Sequence, residues 1–520
     1  MMKAAIILIV AGTLALAASN VLAADIASKP MPEATEAFTE QGHQIYIQRC
    51  SFCHGLLGDG NGPAAKYMDP RPRDFTLGTF KFRTTQSGEL PTDTDLFRTV
   101  SRGLKGTGMQ AFDNQIIKNG LSEEQRWQVI SYIKTFAPEF DDDELDPVKT
   151  GKVVELPAST APYNAETVAK GKAVFERAKC WECHGRSGRG DGQKSFDRKD
   201  DWGFPIRIRN LTHPWKIKAG DRVEDIFMRF STGISGTPMP SFVKALNDED
   251  RWALANFIKS LQHKLTNHQV LKALRVEGDV PLDPKAAEWA TAEAMDVRLA
   301  GQVVAAPRWQ NPSIELVTMR AAFNDKEIAF LMEWDDPFKD TTHKEGQVFN
   351  AKEISKVGAF NSYIEGNGMI PRKLETFRDS IALQFPSKET SGTKKPHFYR
   401  GGSSIPVNLW IWKADADAAG KRAVDDAGAR GRVVMKRPLT TPDRGDVQFS
   451  PGRFIPMSVN AWDGSNGEHG LIMSLSTWHY VFLEAPTPAK IYIYALLAVL
   501  ITGGLGFWFR RIVRNAPADA

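Results

Sequence analysis

Cysteine is scarce in this chain: 520 residues hold four. All four fall in two copies of one pattern, Cys50-Ser51-Phe52-Cys53-His54 and Cys180-Trp181-Glu182-Cys183-His184. No thiol is left to staple loops, and a Cys-x-x-Cys pair is too tight to cross-link much chain, so a disulfide scaffold is set aside. A zinc site fits poorly as well, because the two pairs lie far apart and each runs straight into a histidine. Charge of one sign is also missing, since 66 Lys and Arg against 62 Asp and Glu leave a net +4, too little to argue for nucleic acid as a partner. The chain lacks a phosphate loop, a nucleophile elbow and any recognisable constellation of carboxylates, so no catalytic side chain is expected. Long apolar runs stand only at the two ends.

The doubled motif is the attachment pattern of c-type haem, in which two thiols bond the porphyrin and the adjacent histidine ligates iron. Cys50, Cys53, Cys180 and Cys183 are the expected covalent positions, and His54 and His184 the expected axial ligands. A second axial ligand is offered at one offset in both halves: Met109 in Gly106-Thr107-Gly108-Met109 and Met239 in Gly236-Thr237-Pro238-Met239. Met68 is the local rival to Met109, and its place in the sequence puts it close to His54. The repeat extends to Arg73-Asp74-Phe75-Thr76 against Arg209-Asn210-Leu211-Thr212, and to Arg126-Trp127 against Arg251-Trp252. Two tandem domains with two covalent haems c follow. A side chain on each face of each iron leaves no position for substrate, so the expected chemistry is one-electron exchange.

The ends speak of export and anchoring. Residues 1–23 carry Lys3, an apolar run and Val21-Leu22-Ala23, the composition of a signal peptide. From Ile491 to Phe509 there is no charge, enough to cross roughly 30 Å of hydrocarbon as a helix. Arg510, Arg511 and Arg514 follow, which places a tail, 510–520, in the cytoplasm by the positive-inside rule. The expected location is a bacterial inner membrane, crossed once, with the folded domains on the periplasmic side and lipid around the span.

Between the ends, 138–164 reads as a linker with the acidic run Asp141-Asp142-Asp143-Glu144, and 263–289 reads as a second. Residues 290–486 are punctuated by short β-rich runs. Ile314–Phe323, a turn at Asn324-Asp325, and alternating Ile328, Phe330, Met332 and Trp334 read as a hairpin. The pattern predicts an antiparallel β-sandwich. Trp410 and Trp412 on one run are expected to divide between the core and the opposite face.

Over 36–137 and 165–262 each copy resembles a class I cytochrome c. The resemblance implies that the helix with Gly42 and Tyr46, or Gly171 and Phe175, crosses the helix with the Arg-Trp pair and covers the haem edge. Asp379–Pro386, Val407–Asp415 and Trp462–Glu468 resemble the haem-binding domain of the gamma subunits of ethylbenzene dehydrogenase, selenate and chlorate reductases and nitrite oxidoreductases. That resemblance implies a sandwich able to hold one haem b, with iron–sulfur and molybdenum subunits as partners and a soluble cytochrome or respiratory complex beyond them. The fold class is thus multidomain: two all-α cytochrome c domains, one all-β sandwich and one C-terminal transmembrane helix.

The chain departs from the gamma-subunit pattern at both b-haem ligands. Arg400 stands at the methionine position and Met473 at the lysine position. Met473, with His397 and His469 nearby in sequence, are the candidates for a rewired haem b; a sandwich kept as a docking platform is the other outcome. Two further readings stay open: a dihaem enzyme of the peroxidase type, and a dihaem cytochrome with a ligand-binding sandwich.

Overall fold

The computed structural model describes residues 30–514 except 69, 158–160, 196–197, 205, 267, 306–307, 310–311, 337–339, 342–376, 388–394, 400, 402–404, 415–429, 444 and 486–488. Residues 1–23, read from sequence as a signal peptide, and Arg400 therefore lie outside the described residues. Two compact units are formed, one built mainly of residues up to 264 and one mainly of residues from 265 onward.

In the first unit α1 (Glu36–Arg49) runs into the short α2 (Ser51–His54), followed by α3 (Asp93–Arg102) and α4 (Glu123–Lys134). The second copy repeats this order as α5 (Ala165–Arg177), α6 (Trp181–His184), α7 (Val223–Thr232) and α8 (Asp248–Ser260). Helix starts are fixed locally. The Thr92 and Ser122 side chains accept the N–H of Asp95 and Gln125, whose side chains accept in return from the cap backbone.

The helices then meet through their smallest residues. A Cβ on Gly42 of α1 would stand 1.9 Å from the Gln128 carbonyl oxygen of α4, and one on Gly171 of α5 1.9 Å from that of Ala253 in α8. Behind each crossing a buried tryptophan stacks on a phenylalanine, Trp127 on Phe97 at 4.2 Å and Trp252 on Phe227 at 4.3 Å. Arg126 and Arg251 lie over the same two phenylalanine rings. The repeated Arg-Trp pair is therefore a repeated core.

The second unit is a sheet of eleven strands among the described residues. They are β1 (Val270–Arg275), β2 (Met295–Arg298), β3 (Ala300–Gly301), β4 (Leu316–Phe323), β5 (Glu327–Asp335), β6 (Ser380–Pro386), β7 (Val407–Lys413), β8 (Arg430–Pro438), β9 (Phe454–Trp462), β10 (Ser474–Leu475) and β11 (His479–Leu483). The hairpin expected from sequence is β4–β5, in register from Val317↔Trp334 to Phe323↔Ile328. One leaf runs β2-β4-β5-β8, and the other gathers β3, β10, β9, β6 and β7. β1 joins the leaves, pairing in parallel with β11 through Val270↔Tyr480 and with β4 through Leu274↔Ala322. The sheet is thus mixed instead of purely antiparallel, and β1 lies inside 263–289, the stretch read as a connector.

The sheet folds over its own apolar face, so that Phe330 of β5 meets Phe385 of β6 at 5.8 Å and Trp410 of β7 at 5.9 Å. Trp412 meets Trp334 edge-on at 6.0 Å. Both tryptophans of β7 therefore face the core, against the expectation that they would divide. Side chains two residues apart on a strand share a face.

After the sheet, α9 (Ala489–Arg514) contains Ile493–Ile512, with mean hydropathy 1.6 and no part of it buried. It is long and apolar enough to cross a membrane.

Carboxylates that the sequence scatters are gathered at one place in the sheet unit. Asp336, Asp379 and Asp463 are buried, with carboxylate oxygens all within 4.8 Å of one another. Glu468 joins them by accepting the Asp463 N–H at 3.1 Å. Burial pushes the Asp379 carboxyl up to about 8, with the neighbouring Asp463 charge adding to it, although the N–H groups of Gly464 and Asp340 pull the other way. Burial and Asp463 likewise push Glu468 up to about 7.

Two measurements check this architecture. Gly42→Ala and Gly171→Ala are each expected to lower stability by about 1–3 kcal/mol through overpacking, read as a fall in the urea midpoint of the helical circular dichroism. Between the ordinary Asp value of 3.8 and about 8, folded Asp379 holds more proton than the unfolded chain does, so stability falls as pH rises through that window. In cation-free buffer the sheet unit is expected to melt lower at pH 8 than at pH 6, with the difference shrinking in Asp379→Asn.

Candidate haem centres

α2 is a single turn, and the i, i+3 spacing of a helix puts Cys50, at its cap, and Cys53 on one side of it. Gly55 closes the turn with φ +81°, and its carbonyl accepts the buried Tyr46 hydroxyl at 2.7 Å. His54 ends the turn. Its ring stacks on Phe75 at 4.4 Å, and its Nδ1 lies 2.9 Å from the Arg73 carbonyl oxygen. In the second copy His184 Nδ1 lies 3.1 Å from the Arg209 carbonyl oxygen.

A backbone carbonyl can only accept, so Nδ1 carries the proton in both rings and Nε2 is left with the lone pair a metal needs. Burial pushes both imidazoles below their ordinary range, which keeps them neutral and competent to ligate. None of the four cysteines is joined in a disulfide. Burial pushes Cys50 up to about 12 and Cys180 up to about 11. Among the described residues no cysteine belongs to a cluster of three or more metal-ligating side chains.

The loops carrying the expected methionines are built alike. Leu104 N–H donates to the Met109 carbonyl at 2.9 Å, and Ile234 N–H to that of Met239 at 3.1 Å. The Met109 and Met239 N–H groups donate to the hydroxyls of Thr107 and Thr237. Gly106 and Gly236 sit at φ +68° and +74°, where a side chain is strained. This shared loop is the physical content of the repeated Gly-Thr-x-Met string.

In the first copy a cavity of about 350 Å³ is lined by Cys50, Cys53, His54 and Met109 together with Phe75, Phe80 and Phe112. Among the described residues five cationic side chains, Arg49, Arg71, Arg73, Lys81 and Lys218, also line it, and no carboxylate does. An apolar cleft with two thiols, a lone-pair nitrogen, a thioether and a cationic rim fits a flat macrocycle that bears two carboxylates. Met68 lines the same cavity, its Cε 2.5 Å from where a Cβ on Gly108 would stand. Sequence reasoning held it too close to His54, yet the fold places both methionines at this site. In the second copy Cys180, Trp181 and Met239 pack against one apolar cluster with Val174 and Phe175.

In the sheet unit Met473 is wholly buried beside Ala382, Trp462 and Leu475, with Phe398 and Tyr399 against the same cluster. His397 accepts the Tyr399 N–H through Nδ1 at 3.2 Å and stacks on Phe398. His469 is tied elsewhere, its Nδ1 2.8 Å from the Gly467 carbonyl and its ring on Phe377 at 3.9 Å. The fold thus brings the segment following His397 to Met473, while His469 belongs to the turn beside the buried carboxylates. His479 on β11, which sequence reasoning passed over, is a buried histidine whose Nδ1 finds no hydrogen-bond partner among the described residues.

A cytochrome c family model matches residues 39–137 and 168–262, and an ethylbenzene dehydrogenase model matches 286–432. A Haloferax mediterranei protein assigned as a respiratory nitrate reductase haem subunit is 24% identical over 228 residues, 40% of this chain and 71% of that one. The cbb3-type cytochrome c oxidase subunit CcoP of Helicobacter pylori is 25% identical over 227 residues, 43% of this chain and 58% of its own length. A chain of the reducing HAO-like protein complex of Kuenenia stuttgartiensis is 41% identical, with a TM-score of 0.40, over 43% of this chain and 96% of that one. With both family models matched, the chain carries cytochrome c domains followed by a domain of the ethylbenzene dehydrogenase gamma type.

Proposed function

We propose that this protein is a membrane-anchored, periplasmic dihaem cytochrome that serves as the electron-transfer subunit of a molybdenum oxidoreductase complex of the nitrite oxidoreductase kind. The observation that carries the reading is the first-copy cavity, where two thiols, an oriented imidazole and thioether sulfur meet inside a cationic rim. The match to a respiratory nitrate reductase haem subunit supports the setting. An iron–sulfur subunit at the sheet domain and a soluble cytochrome or respiratory complex at the c domains are the partners this role calls for.

Bound haem c supplies one-electron exchange between ferrous and ferric iron. Cys50 and Cys53 hold it in the first copy, Cys180 and Cys183 in the second. His54 and His184 present Nε2, with the ring plane fixed by the carbonyls of Arg73 and Arg209. Met109 and Met239 would offer thioether sulfur as the second protein ligand, and thioether ligation would favour the reduced iron. Phe75, Phe80 and Phe112 line the first site, and apolar walls of this kind would lower the reorganisation that each electron transfer demands. A b-type haem in the sheet unit, near Met473 and His397, completes the reading.

Haem extraction from the purified full chain is expected to give two covalent haems c, with one extractable haem b from the sheet unit; fewer than two haems c overturns the assignment. Met109→Ala and Met239→Ala are each expected to remove the thioether-to-iron absorption of one site and lower its potential. Met68→Ala is expected to leave both bands in place. Loss of a band in Met68→Ala instead would transfer the ligand role to Met68.

A further inference from the structure

His54 and its carbonyl partner Arg73 are 19 residues apart, whereas His184 and Arg209 are 25 apart. The second copy therefore carries extra chain at this point, and within it lies the turn Asp200–Phe204. That turn closes on itself: Asp200 N–H donates to the Phe204 carbonyl at 2.7 Å, and Phe204 N–H donates to Asp200 Oδ1 at 2.9 Å.

Its aromatic rings are spent on the first copy. The Arg73 guanidinium lies over Trp202 at 4.1 Å, and that of Arg71 over Phe204 at 4.8 Å. Lys81 reaches Asp200 Oδ2 at 3.5 Å. Lys218, also from the second copy, lines the first-copy cavity directly, and Lys216 packs where a side chain on Gly106 of the Met109 loop would stand. Four of the five cations on the rim of the first site are thus supplied or positioned by the second domain.

The same turn touches the second site as well. Asp201 N–H donates to the Gly236 carbonyl at 3.1 Å, and the Trp202 ring occupies the place of a Gly236 side chain. Gly236 stands three residues before Met239. Trp202 therefore lies between the loop that orients His54 and the loop that carries Met239.

We propose that the Asp200–Phe204 turn and Lys218 are part of the first haem site: they hold a cationic rim that binds the haem carboxylates and makes the first haem the stronger electron acceptor of the pair. The physics is that of charges in a partly dry cleft. A positive group near the iron favours the ferrous over the ferric state, and a ring that covers a guanidinium keeps solvent from screening it. Trp202 and Phe204 are positioning residues, acting through Arg73 and Arg71. The inference rests on the first cavity holding haem.

The test is a spectroelectrochemical titration of the full chain in detergent, with the first haem assigned in a Met239→Ala background. Trp202→Ala and Lys218→Gln are each expected to shift the reduction equilibrium of the first haem toward the ferric form by on the order of tenfold, leaving the second haem in place. Trp202→Phe and Lys218→Arg are expected to hold the parent value. No shift in either variant, or equal shifts at both haems, overturns the inference. Lys218 is half-exposed, so its variant reports even where Trp202→Ala fails to fold. A haem count below two in the parent protein would sink the underlying assignment instead, and the two failures are thereby distinct.

Discussion

One hydrogen bond in each cytochrome copy ties the metal-binding motif to everything around it, the bond from the histidine Nδ1 to an arginine carbonyl. A four-residue helix cannot orient an imidazole by itself, since the ring is free to turn about χ2. The carbonyls of Arg73 and Arg209 stop that rotation and choose the tautomer. In the first copy the same arginine does a second job with its side chain, which lies on the cavity rim under Trp202. Backbone and side chain of Arg73 thus couple ligand orientation to local charge. Burial brings its pKa down to about 10, which leaves it fully charged at neutral pH.

How much of this was legible in the sequence follows from how local each feature is. The attachment motifs, the Gly-Thr-x-Met loops and the Arg-Trp pairs are short strings, and their repetition made them readable although several of their contacts are long-range. The helix crossings at Gly42 and Gly171 were implied only by the resemblance to class I cytochrome c; the structure supplies the reason, since a Cβ at either glycine would meet the facing backbone. Met68 was set aside on its distance along the chain from His54, and that distance does not report its place in space. Met68 sits in a loop that turns back over the cavity, so its side chain arrives beside Gly108. The buried carboxylates escaped notice for a like reason: Asp336, Asp379 and Asp463 come from the ends of three strands that only sheet pairing assembles. β1 was taken for connector because six residues with one exposed lysine carry little alternation, and its two parallel pairings are wholly non-local.

The repeat is also informative where it fails. Equal offsets between histidine and methionine make the two copies look interchangeable, yet the second spends its chain differently, with a longer loop before Arg209 and a shorter one after it. Since the overall offset is kept, each copy closes over its own site in the same way. The displaced residues are free to form the Asp200–Phe204 turn, which a symmetric pair of domains would lack. Sequence alone shows the surplus but cannot say which surface it covers.

Charge at the junction of the two copies argues that this contact serves more than packing. Arg83 is wholly buried and donates to the Thr232 carbonyl at 3.2 Å, while Arg229 donates to the Arg83 carbonyl at 3.1 Å. Burial brings both pKa values down to about 10, so both stay charged, and Asp95 is the acid that contributes most to offsetting them. The Asp95 carboxylate is already engaged by the N–H groups of Thr84 and Thr92. Desolvating like charges together is costly, and apolar side chains would hold two domains at less expense. A positive field maintained at that cost acts over long distances in a dry interior.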